Sequence, residues 1–86
     1  MRINIVERGM LARSKAGHDK GHLYVITDVD ETYVYLVDGK TKSIQKPKKK
    51  KLKHIQVIYK KYEIDGKDDV AVKRILKLFD KETGRI

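Results

Sequence analysis

The sequence contains no cysteine, no tryptophan and a single proline, Pro47. Without cysteine there can be no disulfide and no thiolate metal site to staple a small fold. The same lack fits a reducing compartment. No run of about 18 apolar residues occurs, so no transmembrane helix is expected. The first residues, "MRINIVERG", lack the apolar centre of a secretory signal. These absences lead us to expect a cytoplasmic protein that engages no membrane. Residues 46–61 hold eight lysines and no acid.

That last absence organises the charge. The 86 residues carry a formal net charge of +9. Residues 1–45 hold 7 Lys/Arg against 6 Asp/Glu, and residues 62–86 hold 6 against 6. Nearly all the excess therefore lies in one stretch, "KPKKKKLKHIQVIYKK". Focused charge of this kind attracts polyanions. A chain this short makes one small domain with a limited core.

The periodicity is mostly that of strands. "GMLARS" (9–14) places Met10 and Ala12 on one face, with Leu11 and Arg13 on the other. "HLYVITD" (22–28) alternates Leu23, Val25 and Thr27 against Tyr24, Ile26 and Asp28, so both faces are partly apolar. "DVDET" is a turn. "YVYLV" (33–37) is β-branched and aromatic, the strongest strand signal in the chain. Asp38-Gly39 then suggests a type I′ hairpin, with "TKSIQK" returning as a strand that Pro47 closes. After a lysine loop, "LKHIQVI" alternates Leu52, His54 and Gln56 against Lys53, Ile55 and Val57. Five short strands joined by tight turns predict a small, strongly bent barrel over residues 1–58.

Residues 59–86 differ and read as a linker and helix appended to the same domain. Val72, Ile75, Leu76 and Phe79 form one helical stripe. Asp68 or Asp69 can cap its start, and Gly84 can end it.

Catalysis finds no constellation. Ser14 and Ser43 lack a nucleophile-elbow context, and the carboxylate pairs fall in a turn and at a helix start. His18 and His22 stand four apart, but a glycine between them argues against the helix that would align them on a metal. "SKAGHDKGH" (14–22) misses the P-loop spacing and runs into a strand, not a helix. We expect no enzyme, no cofactor and no metal. A glycine-rich turn can nevertheless expose backbone N–H groups to a phosphate, with Lys15 and Lys20 adding charge. In its plainest form it is a hairpin turn whose glycines supply positive φ.

The stretch "ERGMLARSKAGHDKGHLYVITDVDETYVYLVDGK" resembles a KOW domain: a strand, a basic loop with glycines, and an apolar strand. Its continuation "VDGKTKSIQKPKKKKLKHI" is similar to KOW-bearing large-subunit ribosomal proteins of archaea and eukaryotes, and to their small bacterial relatives. The resemblance covers residues 7–57. It implies an SH3-like five-stranded barrel with a C-terminal helix outside the pattern. It also implies non-catalytic binding to structured RNA, ribosomal RNA above all, by a protein expected to be monomeric when free. The RNA-binding residues expected are Lys15, Gly17, His18, Lys20 and Gly21 of the first loop and Lys40 and Lys42 after the third strand. Lys46, Lys48, Lys49, Lys50, Lys51, Lys53 and His54 complete the set. His18 stands where the family pattern suggests Arg or Lys. A rival expectation is a transcription- or translation-associated module that meets ribosomal or transcription proteins through the helix stripe.

Overall fold

The computed structural model describes residues 5–63 and 69–82. Five antiparallel strands form one sheet: β1 (Leu11–Ser14), β2 (Leu23–Val29), β3 (Tyr33–Val37), β4 (Lys48–Lys51) and β5 (Ile55–Ile58). A short 3-10 turn, Leu52–His54, joins β4 to β5, and helix α1 spans Asp69–Glu82. The chain is thus mainly β with one C-terminal helix. No helix among the described residues is long and apolar enough to cross a membrane.

The strand order is β4-β3-β2-β1-β5, so β4 and β5 are the two edges. No ladder joins them, and the sheet is not closed as a barrel. It is nonetheless strongly curled. The turn from Lys51 to Ile55 covers at most roughly 15 Å of chain. The edges of a flat five-stranded sheet would lie roughly 19 Å apart. Both ends of the turn are held: Leu52 N–H donates to the Thr32 carbonyl, and Lys15 N–H donates to the His54 carbonyl, each at 2.8 Å.

Curling gives the sheet two apolar faces. Met10, Ala12, Tyr24, Ile26, Val34, Leu36 and Ile55 fill the inner one. Leu11, Val25 and Val37 lie on the outer one and are covered by Val72 and Ile75 of α1. The alternation in β1 and β2 anticipates this split. One irregularity breaks it: Ile26 faces Leu36, but Asp28 faces Tyr35, so Thr27 is an extra residue in β2. The bulge returns Val29 to the inner face beside Val34.

Three sequence expectations are corrected. Asp38-Gly39 is not a type I′ hairpin, because no residue other than glycine has positive φ among the described residues. "TKSIQK" forms no strand. Residues 38–47 form one long loop instead, and the returning strand is the lysine run itself, begun just after Pro47. Leu52–His54 is a 3-10 turn rather than the start of the last strand.

The helix stripe docks as its spacing implies. Val72 and Ile75 are buried, and Leu76 and Phe79 pack half-buried against the outer face. Asp69 opens the helix, and its carboxylate accepts the Ile44 N–H at 2.9 Å. Asp68 and Gly84 lie outside the described residues. The preceding segment is fastened to both partners: Tyr62 N–H donates to the Gly9 carbonyl, and the Tyr62 hydroxyl donates to Glu82.

Candidate nucleic-acid interface

The loop between β1 and β2 closes tightly. Ser14 N–H donates to the His22 carbonyl, and Gly21 N–H donates back to the Ser14 carbonyl at 2.8 Å. Gly17 and Gly21 both have positive φ, which the bend requires. Around the first of these bends the backbone N–H groups of Ala16, Gly17, His18 and Asp19 make no hydrogen bond within the described residues. Lys15, His18 and Lys20 are exposed.

Asp19, the one acid of this loop, turns inward. Its carboxylate accepts hydrogen bonds from Ser14 Oγ at 2.9 Å and Tyr24 Oη at 2.7 Å. It also accepts from Lys48 Nζ at 2.8 Å and Lys50 Nζ at 2.9 Å. Lys50 Nζ reaches further, to the Ala16 carbonyl. The Asp19 side chain is 14% exposed and that of Lys50 is 10% exposed. Burial pushes this carboxyl upward, but the bonds from Lys48, Tyr24, Lys50 and Ser14 outweigh it and hold it well below the usual carboxylate range. Burial and the anionic Asp19 raise the Tyr24 phenol.

The alternation of β4 explains why two lysines reach in while two do not. Lys48 and Lys50 lie opposite Leu36 and Val34, on the inner face. Lys49 and Lys51 lie opposite Tyr35 and Tyr33, on the outer face. Lys49 Nζ sits 4.2 Å from the Tyr33 ring centroid, a cation–π contact. Lys53, on the 3-10 turn, is exposed, and His54 is half-buried with its carbonyl bonded to Lys15.

Two basic segments some thirty residues apart in the chain thus meet through Asp19, which bonds Lys48 and Lys50, and through the Lys15–His54 backbone bond. The loop that carries Lys15, Gly17, His18, Lys20 and Gly21 touches Lys48, Lys50 and His54, while Lys49 and Lys51 face the other side of β4 and Lys53 follows on the 3-10 turn. Lys46 is exposed in the loop leading into β4. Lys40 and Lys42 are not in this group. They belong to the loop around Asp38, whose carboxylate takes the N–H groups of both and the Thr41 hydroxyl. Asp38 is 5% exposed and is also bonded to His22 Nε2 at 2.9 Å. Burial raises the Asp38 carboxyl, but the N–H groups of Lys42 and Lys40, with Thr41 and His22, lower it to about 2.

Sequence reasoning missed the role of Asp19. The signal was present: a lone acid inside a basic loop, and a lysine run whose alternate members could share one face. No three His, Asp or Glu side chains among the described residues gather as a metal site would require. No known protein family matches this chain, and no curated protein matches it either.

Proposed function

We propose that the protein is a non-catalytic, KOW-type RNA-binding protein that docks on structured RNA, ribosomal RNA in particular. One observation carries this reading: Asp19 clamps the glycine loop to the lysine strand, bringing two distant basic segments of the chain together. Lys48 and Lys50 hold those segments together. Lys15, Lys20, Lys49, Lys51 and Lys53 are the exposed cations left to meet phosphates. The open N–H groups of residues 16–19 add a backbone cradle for a phosphate oxygen. Contacts of this type bind nucleic acid strongly with little base discrimination. Tyr33 beside Lys49 offers a ring on which an unpaired base can stack. In this reading the curled sheet with its 3-10 corner is an SH3-like barrel left open along the β4–β5 seam.

The experiment is RNA affinity measured against salt, for the wild type and for Lys49→Gln/Lys51→Gln/Lys53→Gln. Each lost phosphate contact should lower the log–log salt slope by roughly 0.7–0.9. Equal affinity and equal slope in the variant would remove this surface from consideration. The helix stripe offers less to a protein partner, because all four of its residues pack on the sheet.

A further inference from the structure

A second basic site adjoins that surface at Gly21 and lies in the angle between α1 and the sheet. A cleft of about 490 Å³ opens there. Arg13 and Lys40 line its sheet side, and Lys73 and Lys77 line its helix side. Lys73 and Lys77 are four residues apart and so project from one face of α1. Two acids also line the cleft, Asp38 and Asp80. Asp38 is already satisfied by backbone N–H groups, Thr41 and His22. Among the described residues the four cations therefore exceed the acids, and Lys40, Lys73 and Lys77 are exposed and able to move onto a ligand. Arg13 is held in place by a 2.9 Å bond from its guanidinium to the Gly21 carbonyl, with its remaining donors unbonded within the described residues. Leu23 and Leu76 supply apolar lining. A volume of this size suits one small ligand.

We propose that this cleft binds a phosphorylated nucleotide unit. The cations take the phosphate, and the leucine wall takes the base or sugar. The arrangement is convergent because two elements far apart in the chain supply it. Lys40 comes from the 38–47 loop and Lys73 from α1, and Gly39 lets α1 pass close to that loop. A Cβ at Gly39 would lie 2.9 Å from Lys73 Cγ. The unit can be a free mononucleotide or one residue of an RNA strand, since both present the same group. The site stands whether or not the Asp19-clamped surface binds RNA.

The test is a titration followed by the backbone amide resonances of His22, Leu23 and Lys40, with adenosine monophosphate and, separately, a short uridine oligoribonucleotide. Wild type and Lys73→Gln/Lys77→Gln are compared, the two lysines being exposed enough to leave the fold intact. Saturable shifts at these amides that weaken about fivefold or more in the variant would support the site. Shifts with the mononucleotide identify a free-nucleotide site, and shifts with the oligonucleotide alone identify a strand contact. Lys49→Gln/Lys51→Gln should leave the cleft shifts unchanged, which separates this site from the basic surface. No shift with either probe, or equal shifts in Lys73→Gln/Lys77→Gln, overturns the proposal.

Discussion

Asp19 is the residue on which the loop, the lysine strand and the tyrosine of β2 converge. Removing it leaves Lys50 nearly buried without a counter-charge. Breaking a buried pair from one side costs about 3–5 kcal/mol. Here about 2–4 kcal/mol is expected for Asp19→Ala, because Lys48 keeps some access to water. The sign with pH follows from the folded-state carboxyls. Asp19 and Asp38 are both held below their unfolded value near 4. Each stabilises the fold above that value and loses its contribution as pH falls towards its folded value. Asp38, falling to about 2, contributes about 2 kcal/mol that disappears between roughly pH 4 and pH 2. The Asp19 contribution fades over the same start but persists lower. Denaturant titrations near neutrality and near pH 3 should therefore show the gap between wild type and Asp19→Ala narrowing with acid. A gap that widens would show that Asp19 is not ionised in the folded protein.

At the scale of elements, Gly39 shows what separates legible features from hidden ones. "YVYLV" and the Val72–Ile75–Leu76–Phe79 stripe were legible because their own side chains set the period and bury it. The two-faced alternation of β1 and β2 was legible for the same reason. β4 was not, because lysine is a poor strand former. It extends because β3 offers a paired edge, Pro47 is tolerated at the strand's start, and an acid from another loop meets its inward members. Lysines on an open edge also discourage pairing with a second copy. Gly39 was legible as a turn glycine but not in its reason. Its φ is +77°, and a Cβ there would meet the Asp69 carbonyl at 2.6 Å as well as Lys73. It is the contact that lets α1 cross the 38–47 loop. Gly21 has nearly the same φ but nothing within 4 Å of a Cβ. Ala at Gly21 should cost about 1–2 kcal/mol, the left-handed backbone strain alone. Ala at Gly39 should cost more and should loosen α1, raising amide exchange in Val72 and Ile75. Equal costs at the two glycines would mean that the helix can shift to make room.

Across the whole molecule, charge and shape pull in opposite directions. A net charge of +9 is held in a body whose Cα radius of gyration is 12.1 Å. Screening lengths are about 30 Å at 0.01 M salt and about 10 Å at 0.1 M. At low salt every cation on the molecule therefore repels every other, and the folded state carries that strain. The exposed ion pairs Lys60–Glu82 and Lys61–Glu7 cannot offset it at long range. Raising sodium chloride from about 0.01 to about 0.15 M should raise the melting temperature by a few degrees. Lys49→Gln/Lys51→Gln, with less repulsion to screen, should gain less. The destabilisation by Asp19→Ala should change little over the same range, because its pairs are mostly buried and salt screens them weakly. A melting temperature that falls with salt would mean that surface ion pairs outweigh the repulsion. The excess lysines would then be balanced within the fold rather than held out for a polyanion.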